Sequence, residues 1–264
     1  AWFCCQVQVT ASEGEATLTS WPMFRGGPSL QGVSPGALPD KPVLKWSFKV
    51  GDPIKSSAAI EDGLVFIGAD NGVVYALDLL TGKEKWQQTT DGLIESSPLV
   101  LGDRVFIGSS DGYLYAFEKA TGKPVWKYET DDQILGAPNW VKSPDGKSFW
   151  IVTGSYDYFL HCVDAETGKG VWKYETGNYI NGAPAVSDGK TVFGGCDALL
   201  HVISLADGTK VNEIEAGAYI PGSAAMDGDR VYVGHYESEF LCFDLKEAAL
   251  KWNYRDRNFP YYSS

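Results

Sequence analysis

Residues 76–86 read Ala-Leu-Asp-Leu-Leu-Thr-Gly-Lys-Glu-Lys-Trp, and residues 116–126 read Ala-Phe-Glu-Lys-Ala-Thr-Gly-Lys-Pro-Val-Trp. Residues 162–172 form a third copy, Cys-Val-Asp-Ala-Glu-Thr-Gly-Lys-Gly-Val-Trp. The final tryptophan of each copy belongs to a column that recurs every 40 residues, with one interval of 46. That column consists of Trp46, Trp86, Trp126, Trp172, Asn212 and Trp252. A period of this length is typical of a repeat architecture such as a solenoid or a propeller.

Each repeat has the pattern of four short strands separated by turns. Residues 64–67 and 73–77 are rich in β-branched and aromatic residues, and Asn71-Gly72 between them is a strong hairpin signal. The repeat contains no segment of helical period long enough to form a crossover helix. We therefore predict an all-β protein, a β-propeller of four-stranded antiparallel blades with five full blades. Residues 43–48 are predicted to add the outer strand of a partial blade.

Two further columns have residue types suited to fixed positions in a propeller blade. A glycine ends the second predicted strand of every full repeat, where a missing Cβ permits a close approach of another segment. These glycines are Gly68, Gly108, Gly154, Gly194 and Gly234. Small residues occupy the first predicted strand, which is innermost and most crowded: Ser57, Ser97, Ala137, Ala183 and Ser223. We expect the tryptophans of the outer strand to fill the widening space between blades.

The repeat resembles the pyrroloquinoline-quinone-type (PQQ-like) β-propeller repeat, whose pattern is Ala-x-Asp-x-x-Thr-Gly-Lys-x-x-Trp. The resemblance extends over residues 21–264 and implies a propeller fold. The family includes PQQ-dependent dehydrogenases and non-catalytic assembly proteins of the BamB type. For the dehydrogenases, the resemblance implies a tryptophan beneath the quinone, calcium held by Glu, Asn and Asp, a catalytic Asp, and a disulfide between adjacent cysteines.

The features of the dehydrogenase branch are not found within the repeats. The one pair of adjacent cysteines, Cys4-Cys5, precedes the predicted propeller. Residues 21–27 resemble an opening segment that both branches share, so they do not discriminate between them. Residues 32–36 and 108–112 match Gly-x-Ser-x-Gly, but neither stretch stands between a predicted strand and a helix, as a nucleophile elbow requires. The sequence has no His-Glu-x-x-His motif and no glycine-rich phosphate loop. We therefore expect no cofactor; PQQ with calcium applies only to the alternative, a fragment of a quinoprotein dehydrogenase.

The N-terminal residues indicate an exported protein. Residues 1–20 are predicted to be a flexible leader with the remnant of a signal peptide, because an apolar start is followed by small residues at Val9-Thr10-Ala11. An ordinary disordered start is the alternative. No small residue of a lipobox precedes Cys4, so a lipid anchor is not supported, and no apolar run is long enough for a transmembrane helix. Residues 21–264 are assigned to the propeller.

The acidic composition limits the classes of partner. Thirty-four acidic residues outnumber 22 basic residues and give a net charge of −12. Such a charge opposes binding to nucleic acid or to anionic lipid. We predict a periplasmic or secreted protein of the bacterial cell envelope.

Three groups of polar residues are candidates for chemistry. A column of turn residues offers oxygen ligands of the kind that calcium prefers: Asn71, Asp111, Asp157, Asp197 and Glu237. Asp and Asn are also ordinary turn formers, and their recurrence in every blade favours this second interpretation. His161 and His201 share a strand column without metal-site spacing. Cys162 and Cys242 share another column, two blades apart and beyond disulfide reach, so buried free thiols are expected, Cys196 included.

Aromatic residues recur on the face where the turns between second and third strands meet the inter-blade loops. The turns contribute Tyr156, Tyr158 and Tyr236, and the loops contribute Tyr179, Tyr219, Phe259, Tyr261 and Tyr262. Clustered tyrosine and phenylalanine with few lysines is the composition of an interface core. The alternative is that each ring packs on a neighbouring blade. We predict that this face binds a protein or peptide, and that the chain is a non-catalytic scaffold.

Overall fold

The computed structural model describes residues 20–34 and 40–255, and these residues form five separate four-stranded sheets. Every sheet is antiparallel, and its strands follow one another in chain order from the innermost to the outermost. The first two blades consist of β1 (Ala59–Glu61), β2 (Leu64–Gly68), β3 (Val73–Asp78) and β4 (Glu84–Thr89), then β5 (Leu99–Leu101), β6 (Arg104–Gly108), β7 (Tyr113–Glu118) and β8 (Pro124–Glu129).

The remaining three blades repeat the pattern. The third consists of β9 (Asn139–Lys142), β10 (Phe149–Gly154), β11 (Phe159–Asp164) and β12 (Gly170–Glu175). The fourth consists of β13 (Ala185–Ser187), β14 (Lys190–Gly194), β15 (Leu199–Ser204) and β16 (Lys210–Glu215). The fifth consists of β17 (Ala225–Asp227), β18 (Arg230–His235), β19 (Glu239–Asp244) and β20 (Ala249–Arg255). The prediction of an all-β propeller with five full four-stranded blades is confirmed. Along the described residues, no helix is long and apolar enough to cross a membrane.

Except between the fourth and fifth blades, a residue of the tryptophan column joins one blade to the next. Trp86 of β4 donates its Nε1–H to the backbone carbonyl of Lys119 in the second blade, at 2.9 Å. A Cβ atom on Gly122 would lie 2.6 Å from the same indole ring. The Thr-Gly turn therefore requires glycine, because an indole from the preceding blade occupies the space of a side chain. Equivalent contacts join Trp46 to Gly82, Trp126 to Gly168 and Trp172 to Gly208.

The junction between the fourth and fifth blades lacks both the tryptophan and the turn glycine. Asn212 stands in the tryptophan column, and the turn position opposite it in the fifth blade is Ala248 instead of glycine. Ala248 has a φ of 50°, in the left-handed region that the turn glycines also adopt. Alanine is tolerated there because no indole ring lies against its Cβ. The two departures from the repeat pattern are therefore physically linked.

We expect Asn212→Trp alone to lower the free energy of unfolding, because the new indole would collide with the Cβ of Ala248. Combining Asn212→Trp with Ala248→Gly should restore the contact seen at the other junctions. Urea denaturation of the two single variants and the double variant should give a coupling energy of about 1–3 kcal/mol. Additive effects of the two substitutions would show that this junction is built differently.

The glycine that ends the second strand permits the close approach that the sequence predicts. A Cβ on Gly108 would lie 2.8 Å from the Cβ of Ile134 and 2.9 Å from its carbonyl oxygen. Ile134 belongs to the loop that enters the next blade and is fully buried. Gly68, Gly154 and Gly194 meet Ile94, Ile180 and Ile220 in the same manner. Each glycine thus makes room for an isoleucine that anchors the following inter-blade loop.

Two expectations about the outer strands require correction. Residues 43–48 are not part of a sheet, although Trp46 donates its Nε1–H to the carbonyl of Leu79 as an anchor does. A strand needs a ladder partner, and no third strand lies beside this segment within the described residues. The second expectation is that every tryptophan of the outer strands fills the space between two blades. Trp126 and Trp172 are only partly buried there, and Trp252 is 45% exposed because no described blade covers it.

An N-terminal segment that lies outside the repeats crosses the innermost strands. We call residues 20–34 the strap; it includes the short 3₁₀ turn Phe24–Gly26. The strap accepts backbone hydrogen bonds from one position of the innermost strand in four of the blades. The donors are Ile60 to Trp21 (2.8 Å), Val100 to Pro22 (2.7 Å), Val186 to Pro28 (2.8 Å) and Met226 to Ser29 (2.8 Å).

The third blade uses a side chain at the equivalent position. Asn139 Oδ1 accepts the backbone N–H of Trp140 at 2.7 Å, and its Nδ2 donates to the carbonyl of Pro28 at 2.7 Å. Met23, Phe24 and Leu30 of the strap are buried in the central hydrophobic core. The strap therefore ties all five blades together near the axis. Of the predicted leader, residues 1–20, the first nineteen lie outside the described residues.

Candidate functional site

A pocket of about 380 Å³ opens at the axis, on the face formed by the inter-blade loops and by the turns between second and third strands. We call this face the upper face and this cavity the axial pocket. Its walls include Ser97, Ala137, Ala183 and Ser223, the small residues of the innermost strands. Phe24 of the strap lies at its inner end. The pocket exists because small side chains surround the axis while the strap fills only the inner part.

Hydrogen bonds between neighbouring blades hold the pocket walls in place. Ser97 Oγ accepts the backbone N–H of Ser57, and Ser223 Oγ accepts that of Ala183, both at 2.8 Å. A column that the sequence identifies by small size therefore also supplies inter-blade hydrogen bonds. Ser57 is exposed, and the other four residues of the column are buried.

The rim of the axial pocket carries a charged group that sequence reasoning missed. Lys55 Nζ lies 2.6 Å from Glu95 Oε1 and 3.4 Å from Asp70 Oδ2. The hydrogen bond that Lys55 donates to Glu95 is the main cause that raises the pKa of Lys55. One ammonium group is thus shared by two carboxylates, and this part of the rim is net negative. All three residues lie in loops and turns of the repeat, where no sequence pattern marks them.

Three of the predicted tyrosines come together beside the pocket. The rings of Tyr156 and Tyr179 are stacked with centroids 4.6 Å apart, and the centroids of Tyr158 and Tyr179 are 5.2 Å apart. We call these three residues the tyrosine cluster. Tyr156 also lines the axial pocket and is half-buried, whereas Tyr158 and Tyr179 are about 40% exposed. A hydrogen bond with Tyr158 raises the pKa of Tyr179, and burial raises that of Tyr156.

The backbone at Tyr158 adopts a conformation that disfavours a large side chain. Its φ is +75°, in the left-handed region, and the equivalent positions in the first two blades are Gly72 and Gly112. Ala198 and Ser238 take this position in the fourth and fifth blades. A non-glycine residue in this region costs about 1–3 kcal/mol and is found preferentially at functional sites. In the third blade, a tyrosine therefore occupies a turn position at which glycine would be the least strained residue.

Tyr219 and Tyr236 lie at the junction of the fourth and fifth blades and are more than half exposed. The backbone N–H of Tyr236 donates to the carbonyl of Tyr219 at 2.9 Å. The same bond joins turn and loop at the preceding junction, from Cys196 to Tyr179 at 3.0 Å. Phe259, Tyr261 and Tyr262 lie outside the described residues. The upper face therefore displays two tyrosine groups at successive junctions.

The column of turn residues forms hydrogen bonds within the turns and with the neighbouring inter-blade loops. In each of four blades an Asx oxygen accepts the backbone N–H two residues ahead: Asn71 from Val73, Asp111 from Tyr113, Asp157 from Phe159 and Asp197 from Leu199. The second carboxylate oxygens accept N–H groups from the preceding inter-blade loop: Asp111 from Asp91, Asp157 from Asp131 and Asp197 from Gly177. Glu237 differs, because its N–H donates to Nδ1 of His235. These contacts support the interpretation as turn formers.

The two histidines of the shared strand column pair with these carboxylates. His161 Nε2 lies 2.9 Å from Asp157 Oδ2, and His201 Nε2 lies 2.9 Å from Asp197 Oδ2. Burial raises the pKa of the Asp157 carboxyl, but the interaction with His161 and the hydrogen bonds from the N–H groups of Phe159 and Asp131 together outweigh burial and lower it. The pKa of the Asp197 carboxyl is lowered in the same way, with His201 as the partner. The histidines therefore stabilise the turns.

The cysteines follow the sequence expectation with one exception. Cys162, Cys196 and Cys242 are free thiols. Cys162 and Cys242 are buried, and burial raises the pKa of the Cys162 thiol. Cys196 is partly exposed instead of buried, because it lies in an upper-face turn, where Asn181 Nδ2 donates to its sulfur at 3.2 Å.

The residues around the axial pocket do not fit PQQ with calcium. Glu95 is the one carboxylate among the described lining residues, and it is paired with Lys55. The aromatic residues among the lining are Phe24 and Tyr156, where the dehydrogenase resemblance implies tryptophan. Among the described residues, no three His, Cys, Asp or Glu side chains are grouped to hold a metal ion. The pocket thus lacks the side chains with which those enzymes bind the quinone.

The chain matches the model of the family described as "Outer membrane protein assembly factor BamB" over residues 43–145 and 143–211. The crystal structure of BamB from Moraxella catarrhalis is similar with a TM-score of 0.69 and 21% identity, covering 82% of this chain and 68% of that one. The computationally designed Ika8 protein is similar with a TM-score of 0.67 and 18% identity, covering 78% of this chain and 63% of that one. At these identities the structural similarity establishes the fold alone. No curated protein matches the sequence at a significant level.

Proposed function

Because the chain belongs to the BamB family of outer membrane protein assembly factors, we propose that it is a non-catalytic scaffold that binds a protein or peptide partner. The proposed binding surface is the upper face, with the tyrosine cluster at its centre and the axial pocket beside it. The family name supports a role in outer membrane protein assembly, and hence a place in the periplasm or at the cell surface. A fold by itself does not specify function, so the proposal rests on the site as well.

The observation that carries the proposal is Tyr158 at a left-handed backbone position. Tyr158 is 41% exposed, so burial offsets the backbone strain only in part. It stands next to Tyr179, which is also exposed, and tyrosine is among the residues most enriched in interface hot spots. An exposed tyrosine at a strained backbone position is explained by contact with a partner better than by stability of the blade.

Deletion of the gene in its host tests the proposed assembly role. We expect the deletion to lower the amount of folded β-barrel protein in the outer membrane, and a plasmid copy of the wild-type gene to restore it. The folded fraction is measured by the gel shift between heated and unheated envelope samples. An unchanged folded fraction after deletion would refute the assembly role.

The competing function is that of a PQQ-dependent dehydrogenase. We expect addition of PQQ and calcium to the purified protein to cause no saturable change in tryptophan fluorescence, because the axial pocket does not fit these ligands. We also expect no reduction of an electron-accepting dye by alcohols or sugars. Saturable binding in the micromolar range together with dye reduction would establish the dehydrogenase function instead.

A further inference from the structure

We propose that the upper face selects a partner segment in which a basic side chain stands next to an apolar one. The inference rests on the proposed function and adds the chemistry of the partner. The tyrosine cluster supplies the apolar contact, and the carboxylates beside it supply the charge selection. The argument depends on where these carboxylates lie and on which cations already pair with them.

A cleft with four carboxylate residues adjoins the tyrosine cluster. It has a volume of about 330 Å³ and is lined by Asp111, Glu129, Asp131 and Asp132 together with Ser110, Gly112, Thr130 and Gln133. The backbone N–H of Tyr156 donates to the carbonyl of Gln133 at 2.9 Å, so the cleft and the cluster share a boundary. Asp132 is exposed, and its charge is among the causes that raise the pKa of both Tyr156 and Tyr179. The cluster therefore lies in the field of this carboxylate.

The cations of the surrounding surface do not neutralise the cleft. Lys55, on the pocket rim, is already shared by Glu95 and Asp70. Within the described residues, Glu129, Asp131 and Asp132 form no ion pair. Lys127 lies with its ammonium group 3.9 Å from the ring centroid of Tyr113. With a net charge of −12 for the chain, the potential at this face favours a positively charged partner.

Ring faces add a second attraction for a basic side chain. The protein itself pairs lysine with an aromatic ring at equivalent places in two blades: Lys127 with Tyr113, and Lys173 with Phe159 at 4.2 Å. Tyr158 and Tyr179 are exposed, and Tyr179 lies in the field of Asp132, so a lysine or arginine of a partner meets both a ring face and a negative charge. An apolar neighbour on the same segment would pack on the remaining ring surface or enter the axial pocket.

Binding of three labelled peptides to the purified protein tests the inference. Each peptide has ten residues with two phenylalanines in a serine and glycine background, and the variable positions carry two lysines, two glutamates or two serines. In fluorescence anisotropy titrations we expect the lysine peptide to bind about tenfold more tightly than the glutamate peptide. Added salt should reduce this difference, because it screens exposed charges. Asp132→Asn should weaken binding of the lysine peptide about threefold.

The matched control is Asp103→Asn, an exposed carboxylate in the β5–β6 turn on the opposite face, which should leave binding unchanged. Equal affinity for the lysine and glutamate peptides, or binding of neither, would overturn the inference. Equal binding of all three would leave the proposed function intact, since it requires only that the face binds a partner. Failure of the proposed function is read separately, from the gene deletion.

Discussion

A variant with both Met23 and Leu30 replaced by alanine should lose most of its stability. The two side chains are 0% and 1% exposed and belong to the hydrophobic core around which the blades are arranged. Truncation of a buried Met or Leu to alanine costs about 2–5 kcal/mol, so the pair should cost about 4–10 kcal/mol. A typical domain has only about 5–15 kcal/mol of stability. Urea denaturation followed by far-ultraviolet circular dichroism measures the loss.

Val33 provides the control within the same strap. It is 73% exposed, so Val33→Ala should change the free energy of unfolding by less than about 0.5 kcal/mol. The prediction is wrong if the double variant unfolds at the same urea concentration as Val33→Ala. That result would mean that the strap only rests on the blades and does not hold them together.

A double variant, Tyr158→Gly with Tyr179→Ala, should fold normally and lose partner binding. Glycine at position 158 relieves about 1–3 kcal/mol of backbone strain, which offsets the loss of a ring contact of about 0.5–1.5 kcal/mol. In contrast, each tyrosine that acts as a hot spot contributes at least about 2 kcal/mol to binding, or about thirtyfold in affinity. The double variant should therefore fail to restore folded barrel protein in the deletion strain while its melting temperature stays close to that of the wild type.

Ala198→Gly is the matched control for this variant. Ala198 has the same left-handed backbone position in the next blade, with a φ of 64°, but carries no ring. We expect Ala198→Gly to restore the deletion strain fully. If the tyrosine variant instead loses stability and function together, the rings serve packing between blades, and the upper face has no special role in binding.

The repeat columns made the fold predictable because a column meets the same neighbour in most blades. At four junctions a tryptophan meets a turn glycine, as Trp86 meets Gly122, and in four blades the glycine near the end of the second strand meets a loop isoleucine. The sequence period therefore predicts these contacts as well as the strands. The same logic failed at residues 43–48, where the anchor Trp46 is present but its ladder partner is not.

The strap could not be predicted from the pattern, since it occurs once and has no period. Its role depends on contacts with residues far apart in the sequence, such as Pro28 with Asn139. The candidate site was partly predictable, because recurring tyrosines mark the inter-blade loops. The left-handed backbone at Tyr158 had a sequence signal that was overlooked: Gly72 and Gly112 occupy the same column. The shared charge at Lys55 had no signal, because it depends on three different loops and turns.

Site-specific photo-crosslinking in the host tests most directly whether the upper face is the binding surface. A photo-reactive phenylalanine analogue is placed at Tyr179, or at Phe149 on the opposite face; both side chains are 38% exposed. The account predicts a discrete covalent adduct with an envelope protein from position 179 and none from position 149. Adducts of equal yield from both positions, or an adduct from position 149 alone, would contradict it.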